Sequence, residues 1–472
     1  MTLLPELVLI AGALFYFIIS LQKSPAEDFL RRSMVIVGAL VFLSSCAAYN
    51  AKGQLFSASY QVDLFSQFFK VLIGFGFAAV SIFGQHLRGI NREVKPEYSL
   101  FLCLSVLGLM MLVSSVELIT IFVSLELSSF ALYLLVPLRE DRTGLRVQME
   151  AGIKYILFGV MATGFMLYGM SYVFGLTGST HLREIIPALE PLATQPVVFV
   201  AVLLILSGFL FKLAVFPMHF WVPDIYQGAS NETTAFVATV PKLGAVALLI
   251  RFLTLPNGHP DFLEQIFCVL AVCSMFYGNL SALVQKDIKR ILGFSGISHA
   301  GFIMLGLMTF KADGFGLAVY YITGYVLMNL ACFLVICHAS KDGENLEISD
   351  LAGLHKKEPL LSFILAVSLF ALAGIPPFVG FMGKFFLLTG TLQQGHLWIV
   401  ILAAVNTAIA IYYYLSIVKA AYTDEAVEEE GKEGKEMASD TQGAWPEPLI
   451  KATGACLVVF IILMGAFPSK LV

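Results

Sequence analysis

Residues 196–226 read PVVFVAVLLILSGFLFKLAVFPMHFWVPDIY. Its first 16 residues carry no charge, and Lys212 then stands in the middle of the stretch. At a helical rise of about 1.5 Å per residue, such a run is long enough to cross a hydrocarbon core of roughly 30 Å. Pro217 lacks an N–H and clashes with the preceding turn, so it should interrupt the helix just after Lys212. Irregular backbone at that depth has to line protein or water and not lipid. The stretch therefore predicts a discontinuous membrane helix with a buried amine at its break.

Similar runs recur along the whole chain. Of 472 residues, 58% are hydrophobic and 13% charged, with mean hydropathy +0.84, against roughly 25% charged for a soluble domain. A soluble enzyme, a nucleic-acid binder and a disulfide scaffold are excluded, and a β-barrel would show short alternating segments. The fold class is all-α, a polytopic membrane protein of about 14 spans. Expected spans are 3–21, 33–50, 62–86, 98–114, 116–138, 150–175, 196–226, 234–254, 261–283, 290–310, 314–339, 359–390, 397–421 and 448–466. The first has no basic residues before it and reads as a retained helix, not a secretory signal.

Loop charge tests that count. Loops after odd-numbered spans carry Lys23, Arg31, Arg32; Arg88, Arg92, Lys95; Arg139, Arg142, Arg146; Lys286, Lys289, Arg290; Lys341, Lys356, Lys357; and Lys432, Lys435. Loops after even-numbered spans carry only Lys52, Arg183, Arg251 and Lys311. The positive-inside rule puts the first set in the cytoplasm and both termini outside. Residues 422–447 read as a flexible, acidic cytoplasmic loop.

Cys46, Cys103, Cys268, Cys273, Cys332, Cys337 and Cys456 sit singly, with no metal spacing, and read as small core residues. No iron–sulfur cluster, zinc or haem is expected in this chain alone.

A charge at the centre of a membrane helix costs roughly 2.5–3.5 kcal/mol on insertion scales and marks a functional site by default. The candidates are Glu126, Lys154, Lys212, Lys242 and Lys384. Lys70 and Glu117 lie nearer a boundary and can snorkel to it. Lys154 follows Glu150 by four residues, so a local ion pair is the plain alternative. Four lysines against one central carboxylate do not close into neutral pairs. Burial disfavours the ammonium form, and an amine that is neutral for part of a cycle carries protons.

The twelfth span, LFALAGIPPFVGFMGKFFLL, should unwind at Gly374, Pro376, Pro377 and Gly380, just before Lys384. Gly208-Phe-Leu-Phe-Lys212 and Gly380-Phe-Met-Gly-Lys384 share the pattern G-F-x-x-K five spans apart. An odd offset implies opposite membrane orientation, as in inverted-repeat transporters.

These residues resemble a known family, the antiporter-like membrane subunits of respiratory complex I. The carrying segments are Ser124-Leu-Glu126-Leu, Ala151-Gly-Ile-Lys154-Tyr, Gly208 to Lys212, the run Pro217-Met-His219-Phe-Trp221-Val-Pro223-Asp224, Pro241-Lys242, Gln285 to His299, and Ile375 to Phe385. Lysine at 384 and the short C-terminal end fit the smallest of the family's three kinds. Gln227 and Asn231 depart from its usual acidic residue and proline.

The resemblance implies two inverted five-helix units, residues 98–254 and 261–421, after three leading helices in 1–97 and before a last helix in 448–472. It implies proton translocation with Glu126 tuning Lys212, Lys154 near the cytoplasmic mouth, Lys242 linking two half-channels and Lys384 at the far end. His219 and His299 are relay or hydrogen-bonded structural residues. No cofactor is expected here; NADH, flavin, iron–sulfur clusters and quinone would belong to partner subunits of an NADH:quinone oxidoreductase. Implied partners are a neighbouring antiporter-like subunit, small membrane subunits and the lipid of a bacterial inner membrane, with no nucleic acid. A subunit of a multisubunit cation/proton antiporter is the alternative. A lone solute carrier would explain the broken helices but not a spread row of lysines, and a passive scaffold would not need those charges.

Overall fold

The computed structural model describes the chain except residues 22–25, 143, 193–194, 255–260, 341, 425–446 and 469–472. Lys23, Lys341, Lys432, Lys435 and nearly all of the acidic loop lie outside the described residues. The order is α1 (Leu4–Ser20), α2 (Glu27–Ala47), β1 (Gly53–Leu55), β2 (Tyr60–Val62), α3 (Leu64–Phe83), α4 (Lys95–Ser114), α5 (Leu118–Leu135), α6 (Val147–Thr177), α7 (Leu182–Leu189), α8 (Pro196–Leu213), α9 (Val222–Gly228), α10 (Asn231–Leu253), α11 (Asp261–Ala282), α12 (Ile288–Leu307), α13 (Ala312–Ala339), α14 (Leu354–Lys357), α15 (Pro359–Ala373), α16 (Val379–Gln393), α17 (Leu397–Tyr422) and α18 (Glu447–Ala466).

The chain is an all-α polytopic membrane protein. Among the described residues, 12 helices are long and apolar enough to cross a membrane, while Leu4–Ser20 and Pro359–Ala373 are shorter. The expected seventh span is split into α8 and α9, and the expected twelfth into α15 and α16. Helix α2 starts at Glu27, ahead of the expected residue 33, with Glu27 and Asp28 in its first turn, where a helix N-terminus favours acids. Three described elements fall outside the sequence reading: an antiparallel hairpin pairing Gly53 with Val62, and the short helices α7 and α14.

Both breaks close in the same way. Ala214 (φ 67°) ends α8 and Gly374 (φ 87°) ends α15, each in the left-handed region, and the peptides Phe216–Pro217 and Pro376–Pro377 are cis. Gly380, expected in the unwound part, lies in α16. Its missing side chain serves packing instead: a Cβ there would sit 1.8 Å from the carbonyl oxygen of Ala371.

Burial orders the bundle. Helices α10, α12 and α13 have 89%, 94% and 89% of their apolar windows buried, against 33% for α6 and α17. The first three form the central core, and α6 and α17 turn apolar faces such as Leu157, Tyr168 and Ile401 outward. Gly301 fits against the backbone of Ala271, drawing α12 close to α11. Polar ends are satisfied by caps: Asp63 for α3, Ser230 for α10 and Asp287 for α12. The buried lysines Lys212, Lys242 and Lys384 come from helices α8, α10 and α16 that meet this core.

Candidate functional site

On the side of the first break, Lys212 occupies the last turn of α8 and is 2% exposed. Its ammonium donates to the Ser129 hydroxyl at 3.1 Å. Glu126, one turn earlier on α5, accepts from Thr163 at 2.6 Å. The two charged groups therefore do not form a direct ion pair; each engages a hydroxyl on α5 or α6. Lys154 does pair with Glu150 at 2.7 Å, as its spacing suggests, and it also pairs with Asp224 on α9 at 2.7 Å. Arg290 at the start of α12 donates to the other oxygen of Asp224 at 3.1 Å and to Gln227 at 2.9 Å. Gln227 thus supplies the acceptor that an acidic residue would supply.

The centre is more continuous. Lys242 of α10, 1% exposed, donates to the Tyr325 hydroxyl at 2.9 Å and lies 4.9 Å from that ring's centre. The ring of Tyr325 is 5.2 Å from the ring of His299. His299 engages Tyr321 through Nδ1 at 2.7 Å and Tyr414 through Nε2 at 3.1 Å. Tyr321 packs so near α16 that a Cβ on Gly383 would come within 2.6 Å of its ring. The next residue, Lys384, donates to the carbonyls of Leu372 and Ala373 at 3.1 and 3.2 Å and faces the Phe302 ring at 5.1 Å. Those carbonyls end α15, where no further helical turn supplies N–H donors for them. Lys242, His299 and the helix of Lys384 are therefore brought together by tyrosines, through the hydroxyls of Tyr325 and Tyr321 and through ring packing. A hydroxyl both gives and takes a proton, so such a row suits proton relay.

His219 stands apart. It lies between α8 and α9, fully buried, 4.2 Å from the ring of Tyr277 and stacked on Phe216, and neither ring nitrogen has a hydrogen-bond partner. Lys70 does not snorkel: it is fully buried in an ion pair with Glu6 at 2.6 Å, with Tyr60 donating to the same carboxylate at 2.6 Å. Glu117 is a helix cap, accepting the Thr120 N–H at 2.8 Å. Lys289, expected among the loop charges, is instead fully buried and donates to the Ala229 carbonyl at 2.8 Å.

Outside the spans, Asp63 is held below the usual carboxylate range. Burial pushes its carboxyl up, but two Arg251 contacts at 3.0 Å and the Ser66 donors pull it down further. The sequence reading missed Tyr321, Tyr325, Tyr414, Ser129, Thr163 and Glu6. Tyr321, Tyr325 and Asn329 recur every fourth residue, which was the available signal for a polar face on α13.

Residues 115–410 match the family described as "NADH:quinone oxidoreductase/Mrp antiporter, TM". Over 99% of this chain and 95% of the relative, it is 50% identical to "NADH-quinone oxidoreductase subunit N 2" of Opitutus terrae. A protein of the same name from Solidesulfovibrio magneticus is 45% identical over 100% of this chain and 96% of its own. A chain in the structure "Respiratory complex I from Thermus thermophilus with bound Aureothin" aligns with TM-score 0.81 at 28% identity, covering 99% of this chain and 98% of that one. A chain of the Mrp complex from Dietzia sp. shares the fold, with TM-score 0.83 at 21% identity, over 100% and 94% of the two chains.

Proposed function

The chain belongs to the NADH:quinone oxidoreductase/Mrp antiporter membrane family, within it to the subunit N proteins of NADH-quinone oxidoreductase, and on that premise we propose the route by which it moves protons. The chain is a membrane subunit of a proton-translocating oxidoreductase. Protons travel along Lys212, Lys242, His299 and Lys384, and the observation that carries this reading is the row of Lys242 hydrogen-bonded to Tyr325, the Tyr325 ring beside His299, and His299 hydrogen-bonded to Tyr321.

Electrons and cofactors belong to partner subunits: NADH, flavin, iron–sulfur clusters and quinone are handled elsewhere in the complex. Partners of this chain are a neighbouring antiporter-like subunit and small membrane subunits. The basic end is cytoplasmic and both termini are periplasmic in a bacterial inner membrane, with fourteen spans, counting α8–α9 and α15–α16 as one each. Two inverted five-helix units, residues 98–254 and 261–421, each contribute one broken helix.

The proton balance is simple. A neutral Lys212 amine takes a proton from the cytoplasmic side and becomes an ammonium. Glu126, one turn from the Ser129 that Lys212 engages, stabilises that charge when the Lys154–Asp224–Arg290 contacts hold α9 against α6 and α12. Rearranging those contacts weakens the stabilisation, and the proton leaves for Lys242. One pKa unit corresponds to about 1.4 kcal/mol. Moving one charge across the membrane takes about 2.3 kcal/mol per 100 mV, so swings of a few units suffice. His299 exchanges a proton between its two tyrosine partners, and Lys384 releases it at the far side. Likeness to the Mrp complex shows the fold alone, and sodium-coupled exchange stands as the alternative.

The test is NADH-driven proton pumping by the whole complex in vesicles. Lys212→Ala should lower pumping about tenfold or more, and Glu126→Gln should lower it severalfold, with assembly intact. Wild-type pumping in both assembled variants would sink the scheme.

A further inference from the structure

A second set of buried polar groups lies between the basic end and Lys242, and the path above does not use it. One face of α12 carries Lys289, Gly293, Gly296 and His299, at steps of four, three and three residues. These steps keep one side of a helix. The two glycines let neighbouring side chains pack directly against that face. A Cβ on Gly293 would lie 3.2 Å from the Tyr226 ring, and one on Gly296 would lie 2.8 Å from the Lys242 ammonium and 2.9 Å from the Tyr325 hydroxyl. Tyr226, Lys242 and Tyr325 thus lie against α12 between Lys289 and His299.

Three polar atoms along this face lack partners. Tyr226 is fully buried and its hydroxyl has no hydrogen-bond partner. Asn329 is 1% exposed; its amide donates to the Tyr325 carbonyl at 2.9 Å, while its oxygen has no partner. Because α12 and α13 run antiparallel with Gly296 beside Tyr325, Asn329 stands one turn nearer the basic end, level with Gly293. At the mouth, Glu232 in the first turn of α10 is 3% exposed, and one of its carboxylate oxygens also lacks a partner. Capping does not account for it, because Ser230 caps α10. Facing Glu232 are Tyr98 from α4, Lys289 from α12, Cys337 from α13 and Arg139 from the loop after α5. Buried polar atoms without partners are rare, and ordered water is their usual partner.

We propose that Glu232, Lys289, Tyr226 and Asn329 form a second proton-loading branch that reaches Lys242 along the glycine face of α12 without passing through Lys212. The inference rests on the proton-translocating reading above. A proton from water at the basic end adds to the Glu232 carboxylate. It passes through water to the Tyr226 hydroxyl, which takes one proton and gives up another. It ends on a neutral Lys242 amine, and no electron moves. Lys289 fixes the mouth by its bond to the Ala229 carbonyl. The two branches then meet at the central lysine, and either loads it when the other is empty.

The test uses the assembled complex in vesicles, with Glu232→Gln, Glu232→Asp, Tyr226→Phe and Lys212→Ala side by side. Glu232→Gln and Tyr226→Phe should each lower the initial rate of NADH-driven pumping about twofold. The deficit should deepen as pH on the basic side rises, because proton supply falls tenfold per unit. Glu232→Asp should restore most of the rate. Unchanged rates and pH profiles in Gln and Phe variants would overturn the branch, as would failure of both Glu232 variants to assemble, which would mark a structural role. If Lys212→Ala pumps normally, the translocation reading itself falls. If only Lys212→Ala is impaired, the branch falls alone.

Discussion

The two broken helices share their backbone and differ in their chemistry. Ala214 and Gly374 end the first segments alike, and the cis prolines follow three residues later in both, at 217 and 377. The lysines do not follow suit. Lys212 lies two residues before its left-handed residue, whereas Lys384 lies ten residues after Gly374, inside α16. The shared G-F-x-x-K pattern is therefore out of register with the breaks: aligning the breaks sets Lys384 against Asp224, not Lys212. Lys212 turns to the Ser129 hydroxyl of α5, while Lys384 folds back onto the carbonyls its own break has freed. The same interruption thus serves as a gap beside a charge in one half and as a ligand for a charge in the other.

That comparison breaks most visibly at the residues that shape the breaks. Gly380→Ala forces a methyl group into the Ala371 carbonyl. Overpacking of this kind costs about 1–3 kcal/mol and occasionally more, and we expect the upper end, read as a fall in the melting temperature of the purified complex. Ala214→Gly should do the opposite on a smaller scale. It relieves about 1–2 kcal/mol of left-handed strain and gives back roughly 0.5–1 kcal/mol in chain entropy, a net gain of about 0–1.5 kcal/mol. A loss of stability at Ala214→Gly would show that the first break is held by its side chain.

A smaller effect sharpens the chemical contrast. Tyr325→Phe removes the hydroxyl that Lys242 uses, and hydrogen bonds to charged groups contribute about 1.5–3 kcal/mol. Pumping should fall with assembly retained; an unchanged rate would remove the aromatic relay from the path. A separate effect is expected at Asp63, at the start of α3. Its carboxyl is depressed by Arg251, so its contribution is full above an ordinary carboxylate pKa near ~4 and is lost as pH falls through the lower folded value. Asp63→Asn should lower stability at neutral pH by about 1–3 kcal/mol and flatten the acid limb of a melting profile below about pH 4. A wild-type acid limb in this variant would contradict the assignment.

Much of this was legible in the sequence because it depends on local rules. Long apolar runs and prolines at 217, 376 and 377 give the spans and their breaks without any tertiary information. The buried lysines stand out because a charge set among apolar residues is costly to insert and persists only where it has a use. What stayed hidden depends on partners distant in sequence. Tyr325 and Tyr414 look like ordinary aromatic core until α12 brings His299 near both. Glu6 and Lys70 are 64 positions apart, so neither could be paired by spacing. Lys289 sits in a basic run that reads as loop, and only the packing of α9 against α12 buries it. Gly380 looked like a helix breaker, but glycine inside a helix is just as often a place where another backbone comes close.

Asp224 holds Lys154 of α6 with one oxygen and Arg290 of α12 with the other. One carboxylate thus ties together three helices that are far apart in sequence, so neutralising it would cut α9 loose from both α6 and α12 at a single point.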